Sequence, residues 1–378
     1  MKFDLRYLGA EEYPRLAAFI AEHWGPDHPY VKRRALFDWT FRRGELWDRE
    51  GYSWLYAEDG GTMISSLGAI PFELNIRGKT VPAVWPVTWM TAEAYRHTGV
   101  GLWLFGMLRR PPFKAIVCFG AREAAADIYR ALRFQMVDDI PRRVALLSQR
   151  QELATRLLEH THPDWAPSRV DAVTRFYSPN WEPGSSTRVD IADFWSRWDD
   201  HGWQAWAPEL VGAKRDARYL AWRYRDHPEV DYQILAVEDD GRIGLLVWRL
   251  EPVHIDRDMA MGSFARIVEL LPASPSNARA LLSTLWSDLS ALPEVIGADY
   301  YNYHGLTGGW LAEAGMALSD AHPDGQGIPS GFQPIDRRCK PIPNAVWIRH
   351  GKGPSFPFDP GDAWYWTKSD SDRDVPIW

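Results

Sequence analysis

The sequence predicts an α/β protein of two tandem domains, each a mixed, mostly antiparallel sheet flanked by helices. Three observations predict it. The chain has 378 residues, enough for about two domains at ~100–200 residues each. Its composition, 46% hydrophobic and 25% charged, is that of folded globular protein and excludes disorder, collagen or coiled coil as the main architecture. The chain also repeats itself. Phe37-Asp38-Trp39-Thr40-Phe41 returns as Leu220-Ala221-Trp222-Arg223-Tyr224, residues 52–61 return as 232–241, and the strand-then-helix of 116–134 returns as 296–316. Three echoes in order, at nearly one offset, are the signature of a duplicated domain.

Each copy reads as helix, hairpin, strand, helix, strand, helix. In the first copy, 11–23 carries apolar residues at helical spacing, tolerates Pro14 in its first turn and stops at Gly25-Pro26. Segments 54–56 and 63–67 flank Glu58-Asp59-Gly60-Gly61, and 72–76 and 80–84 flank Arg77-Gly78, so both read as antiparallel hairpins, with 84–91 continuing extended. A helix over 101–110 closes at Pro111-Pro112, and a short apolar strand (115–119) and a second helix (123–132) follow. This places one domain in 1–150, a connection in 151–180, a second domain in 181–343 and an irregular tail packed on the body in 344–378.

Composition also narrows the function. A net charge of −7 offers no field for phosphate backbones, so no nucleic-acid partner is expected. The N-terminal MKFDLRYLGAEEY has no apolar h-region, and no apolar run reaches the ~20 residues of a membrane span, so the expected location is the cytoplasm. Cys118 and Cys339 read as free buried thiols. No metal is expected. Asp370-Ser371-Asp372-Arg373-Asp374 alternates carboxylates but lacks the glycine of a calcium loop and reads as a solvated acidic tail. His160 and His162 lack companions at metal spacing. No Gly-x-Ser-x-Gly or Cys–His pattern indicates a nucleophilic hydrolase.

The sharpest local feature is Arg96-His97-Thr98-Gly99-Val100-Gly101, between a strand ending near Thr91 and a helix starting near Gly101. Glycines at such a junction let a ligand approach the N–H groups that the first helical turn leaves unpaired, and the helix dipole favours an anion there. The six residues read either as a phosphate cradle or as a glycine-bounded helix start without a ligand, and as neither a Walker loop nor a dinucleotide fingerprint. With Tyr129-Arg130-Ala131-Leu132-Arg133-Phe134 further on, this sequence resembles the GNAT acetyltransferase superfamily. Arg96, Gly99 and Gly101 fill that family's Arg/Gln-x-x-Gly-x-Gly/Ala motif, and Arg133 departs from a usual glycine. The fold implied is two tandem GNAT-like domains, the first (1–150) with an acetyl-CoA site and the second degenerate.

The resemblance implies that Trp89, Met90, Thr91, Arg96, His97, Thr98, Gly99, Val100 and Gly101 hold acetyl-CoA and that Tyr129 is the acid for the departing thiolate. Attack by an amine on a thioester also needs a base. His28, in the loop after the first helix, is the candidate, with Glu73, Glu93 and His97 as rivals. The second copy has Leu270-Leu271-Pro272-Ala273-Ser274-Pro275-Ser276-Asn277 in place of the cradle, and Trp310 in place of Tyr129, so no acetyl-CoA is expected there. Around Trp39 and Trp222 the chain is similar to GNAT-like proteins of bacterial surface-polysaccharide pathways. That implies an amine on a nucleotide-linked amino sugar as acceptor, with Trp39, Arg223 and Tyr224 binding it. A non-catalytic acyl-CoA-binding scaffold and a Fem-type aminoacyl transferase are the alternatives.

Overall fold

The computed structural model describes residues 3–47, 49–121, 123–137, 140–181, 186–254, 260–323, 344–348, 363–372 and 374. The first copy runs β1 (Asp4–Tyr7), α1 (Tyr13–His23), α2 (Pro29–Lys32), α3 (Arg34–Phe41), β2 (Trp54–Asp59), β3 (Thr62–Ile76) and β4 (Lys79–Thr91). After a 3-10 turn at Glu93–Thr98 come α4 (Val100–Leu108), β5 (Ala115–Cys118), α5 (Glu123–Ala131), β6 (Gln135–Val137) and β7 (Arg142–Leu146). Two helices follow, α6 (Gln151–Thr161) and α7 (Pro167–Phe176), where the sequence suggested only a connection. The second copy runs α8 (Ile191–Trp198), α9 (Gln204–Trp206), β8 (Val211–Ala213), α10 (Ala217–Leu220), β9 (Gln233–Asp239), β10 (Arg242–His254), β11 (Ala260–Leu271) and α11 (Pro275–Ser290). It ends with β12 (Val295–Tyr303), α12 (Gly305–Glu313), β13 (Ala317–Leu318), β14 (Asn344–Ile348) and β15 (Trp366–Thr367).

The local chemistry follows the sequence. Pro14 sits in the first turn of α1, and Leu16, Phe19 and Ile20 turn inward. The β2–β3 and β9–β10 hairpins are closed by Gly60-Gly61 and Asp240-Gly241, and all four residues have left-handed φ, from +49° to +86°. That pair of left-handed residues matches the twist of the strands it joins.

Two mixed sheets result, in the expected class. The first has strand order β1-β2-β3-β4-β5-β14-β6, with β8 on β3; the second has β13-β7-β12-β11-β10-β9, with β15 on β12. The copies exchange a strand. β7 leaves the first copy and pairs antiparallel with β12 and β13, while β14 returns from the far end of the chain to pair antiparallel with β5 and β6. The boundary drawn at 150 therefore cuts the second sheet, and residues 344–348 are a buried strand of the first sheet, not irregular tail. Burying Val346 and Ile348 there, 1% and 7% exposed, contributes about 1.5–3 kcal/mol each, which local hydrogen bonding alone does not supply.

The repeat-mates Trp39 and Trp222 meet directly. Trp39 and Trp222 stack at 4.8 Å with 17° between their planes, and each indole N–H donates to the other's carbonyl oxygen, at 3.2 and 3.4 Å. One apolar cluster runs through both copies, from Leu16, Phe37 and Trp54 to Leu245, Val268 and Tyr365. The acidic run near the end is buried. Asp370 receives both oxygens' worth of hydrogen bonds from Arg215 at 2.9 Å, and Asp374 is held by Arg249 and Tyr232. Guanidinium groups take the place that a cation or solvent would otherwise fill. Cys118 is a buried free thiol; Cys339 lies outside the described residues. No described helix is long and apolar enough to cross a membrane.

Candidate active site

β4 shapes the site. It pairs parallel with β5 only at Ala83 and Val84, so its last seven residues diverge from β5 and open a wedge. On its other edge the register with β3 skips between Ser66–Met90 and Gly68–Val87, and Thr88 sits in the bulge at φ +48°. Such a bulge bends the strand and redirects its backbone. The Ser65 hydroxyl fixes the bulged end by donating to the Met90 carbonyl at 2.8 Å and contacting Thr91 Oγ1 at 2.8 Å.

A cleft of about 630 Å³ lies in this wedge, lined along one wall by Trp89, Met90, Thr91, Arg96, Gly99 and Gly101. Ala124, Ala125 and Ile128 of α5 form the opposite wall, and His23 and Trp24 close the end. Gly99 is the N-cap of α4 at φ +76°, a left-handed conformation that leaves the first-turn N–H groups of Gly101 and Leu102 pointing out of the helix end. Gly101 is required by space. A Cβ there would lie 2.6 Å from Thr91 Oγ1, so only glycine lets α4 seat against the end of β4. Arg96 folds back beside the cradle, its Nε–H donating to the Thr91 carbonyl at 3.2 Å. Six of the nine residues expected to hold acetyl-CoA thus line one cleft. The other three do not: His97 is exposed on the 3-10 turn, the Thr98 hydroxyl accepts from the Val100 N–H at 3.3 Å and donates to the Tyr95 carbonyl, and Val100 is fully buried.

The expected catalytic pair is placed differently. Tyr129 is 5% exposed, stacked under Trp89 at 6.3 Å, with its hydroxyl against the Cys118 thiol; burial and that thiol push its pKa well up. Burial likewise pushes the Cys118 thiol up to about 12. Tyr129 therefore faces the core, while Ala125 and Ile128 of the same helix face the cleft. His28 is a helix cap. Its Nδ1 accepts from the Tyr30 N–H at 3.2 Å, and burial, with Arg33 nearby, lowers its pKa to about 4, so the ring's lone pair is already engaged. Of the rivals, Glu73 is tied to Lys214 at 3.6 Å and to Arg218, and Glu93 and His97 are exposed on the 3-10 turn; none lines the cleft.

The residue that sequence reasoning passed over is His23. It continues the buried stripe of α1 at helical spacing from Leu16 and Ile20, and that stripe runs out of core at the cleft. Its ring packs on Phe19 at 4.5 Å, with a Glu22 oxygen 3.8 Å from Nε2. None of the residues expected to bind acceptor lines the cleft itself: Trp39 stacks on Trp222, and Arg223 and Tyr224 are buried at 1% and 2% exposure. The Tyr224 hydroxyl donates to Glu269 at 2.9 Å and meets Ser369 at 2.8 Å. It is a structural partner of the buried ion pair of Arg215 with Glu269.

The second copy's equivalent wedge is filled by the chain itself. Between β11 and β12, Tyr365 bonds the backbone of Leu270 at 3.1 Å, Ser369 donates to the Val268 carbonyl, and β15 pairs with β12. Ser274 caps α11 by accepting from the Asn277 N–H at 3.0 Å, and Asp239 accepts from the Ser276 hydroxyl at 2.8 Å at the same helix start. A carboxylate thus occupies the start of α11.

Residues 4–110 match the family model of the acetyltransferase (GNAT) domain. The likeness to that domain lies within the first copy. Among solved structures it is similar to the GCN5-related N-acetyltransferase from Kribbella flavida, at 16% identity and TM-score 0.53, over 92% of this chain and 71% of that one. It is also similar to a conserved protein of unknown function from Enterococcus faecalis V583, an N-acyltransferase candidate, at 14% identity and TM-score 0.54, over 92% and 72%. These likenesses extend the shared fold across both copies. No curated protein matches the sequence significantly.

Proposed function

We propose that the cleft binds acetyl-CoA and that the protein transfers acetyl directly to a primary amine. The observation that carries this is the seating of α4 on β4 through Gly101. It brings the first-turn N–H groups of the GNAT domain to the mouth of the wedge, a donor set suited to a pyrophosphate. Trp89, Met90 and Thr91 would flank the pantetheine arm, and Arg96 would meet phosphate. His23, which lines the end of the cleft, is our candidate to take the proton from the attacking amine. A nucleotide-linked amino sugar is our proposal for the acceptor, supported by the Trp24 indole, 46% exposed at the cleft end, where a flat ring can stack on a base or sugar.

The test is thiol release from acetyl-CoA with a panel of amines, run beside calorimetric titration of acetyl-CoA. Binding with amine-dependent thiol release is expected, and His23→Gln should bind acetyl-CoA unchanged while turnover falls by about a hundredfold or more, the usual scale of general acid–base catalysis. Absence of acetyl-CoA binding overturns the reading. Binding without release on any amine would favour the acyl-CoA-binding scaffold.

A further inference from the structure

Arg223 is 1% exposed, yet its Nε–H and Nη2–H groups meet no acceptor among the described residues. A buried guanidinium without a partner is strongly unfavourable, and such groups are found paired with a carboxylate or phosphate. Arg223 is not alone. The Nε2 of His227 is likewise buried and unpartnered, and the buried Tyr30 hydroxyl forms no hydrogen bond at bonding distance, although it lies near the Thr40 hydroxyl, which donates to the Leu36 carbonyl. His227 Nδ1 accepts from the N–H groups of Glu229 and Val230, at 3.2 and 3.0 Å. Its proton is therefore on Nε2. All three orphaned side chains are donors.

His227 and Arg223 are grouped around the stacked Trp39 and Trp222 rings. The His227 ring lies 4.5 Å from Trp39, and the Arg223 Cζ lies 5.6 and 5.9 Å from the Trp39 and Trp222 rings. Burial lowers the His227 pKa and raises that of Tyr30, to which the Asp372 carboxylate adds, and Arg223 is near enough for its charge to act on both. Ring contacts lead from the cleft to this group. Trp24, at the cleft end, touches His28 at 5.4 Å, and His28 touches Tyr30 at 5.4 Å. The carboxylate whose charge Arg223 feels, Asp374, is held by Arg249 at 2.9 Å and by Tyr232 at 2.7 Å.

We infer that Arg223, His227 and Tyr30 form an oxyanion subsite beyond the acceptor end of the cleft, and that the amine acceptor carries a carboxylate or phosphate that seats there. The free Nε/Nη2 edge of a guanidinium matches two oxygens of one oxyanion side by side. The second copy, whose own wedge is plugged, supplies two of the three donors and so has a binding role of its own. The acceptor part of this inference rests on the acyltransferase reading; the subsite itself does not.

The whole chain is titrated with sodium acetate and, separately, with inorganic phosphate, at constant ionic strength in chloride, following thermal unfolding and intrinsic fluorescence. Trp39 and Trp222 lie next to the guanidinium. Saturable binding of either anion is expected, with the tighter one identifying the acceptor's group. Loss of a charge-assisted bidentate contact should weaken that binding by about tenfold or more in Arg223→Gln, and Tyr30→Phe, which keeps the packing, should weaken it less. Acetyl-CoA binding should be unchanged in both. Wild-type protein that binds acetyl-CoA but shows no saturable effect of either anion overturns the subsite and leaves the acyltransferase reading standing. Anion binding that survives Arg223→Gln also overturns it. Anion binding without acetyl-CoA binding keeps the subsite and overturns the acyltransferase reading. Should Arg223→Gln fail to fold, the wild-type titration and Tyr30→Phe decide.

Discussion

Replacing Gly101 by alanine isolates the contact on which the cleft depends. The added Cβ would lie 2.6 Å from Thr91 Oγ1 and 3.4 Å from Trp89 Nε1. Ordinary contact begins near 3.4 Å, so the start of α4 must retreat from β4 by roughly 0.8 Å, because Thr91 Oγ1 is held by Ser65 and cannot swing away freely. A hydrogen bond of about 2.9 Å from the helix end to a phosphate would lengthen to about 3.7 Å, beyond useful range. Losing one charge-assisted contact of about 1.5–3 kcal/mol weakens acetyl-CoA binding by roughly 10–150-fold. Overpacking would destabilise the fold by about 1–3 kcal/mol, partly offset by the better helix propensity of alanine. Gly106→Ala is the control. It lies in the same helix, its Cβ would meet nothing within 4 Å, and it should stabilise by about 1 kcal/mol without touching affinity. Calorimetric titration and thermal unfolding of both variants make the comparison. A folded Gly101→Ala protein that binds acetyl-CoA as tightly as wild type would refute the assignment of the cradle.

Other outcomes follow from the same contacts. His28→Asn should keep turnover within about twofold, since asparagine also caps a helix, whereas His28→Ala should lose about 1 kcal/mol of stability; a hundredfold loss of turnover in the asparagine variant would reinstate His28 as the base. A chain ending at residue 343 lacks β14 and leaves β5 and β6 unpaired with each other. It should bind a hydrophobic dye and lose cooperative unfolding, and near-wild-type unfolding of that chain would contradict the strand exchange. Buried guanidinium groups hold the Asp299 and Asp374 carboxyls well below the usual carboxylate range. Their contribution is therefore full above the unfolded value near pH 4 and is lost as pH falls below it. Urea midpoints at pH 7, 5 and 3 should fall steeply only in the last step, and Asp299→Asn should flatten that step while destabilising by about 3–5 kcal/mol at pH 7 through the unpaired Arg142 and Arg266.

Local structure was legible because local chemistry decides it. The helix over α1, the turns at Gly60-Gly61 and Asp240-Gly241, and the glycine-marked start of α4 are all settled by residues near in sequence, and the duplication shows as the return of such local patterns. The cradle was legible for the same reason, since Gly99 and Gly101 answer constraints set within a few residues. His23 could have been found by extending the Leu16–Ile20 stripe one turn. The roles given to His28 and Tyr129 could not be corrected from sequence, because capping and burial depend on Tyr30 and on Cys118 and Trp89, brought near only by packing.

The sequence by itself determined the element types, the two-copy plan and the glycine-marked turn before α4, each through propensity, periodicity and the conformational freedom of glycine. The tertiary structure alone decided the exchange of β7 and β14, the plugging of the second wedge by Tyr365 and Ser369, and the burial of Asp370 and Asp374 against arginines. Strand pairing is the reason for the first. A short strand carries the same alternation whichever sheet accepts it, so only competition among distant edges fixes its partner. Charge burial is the reason for the last, because a carboxylate in a polar run looks the same in sequence whether water or a guanidinium neutralises it.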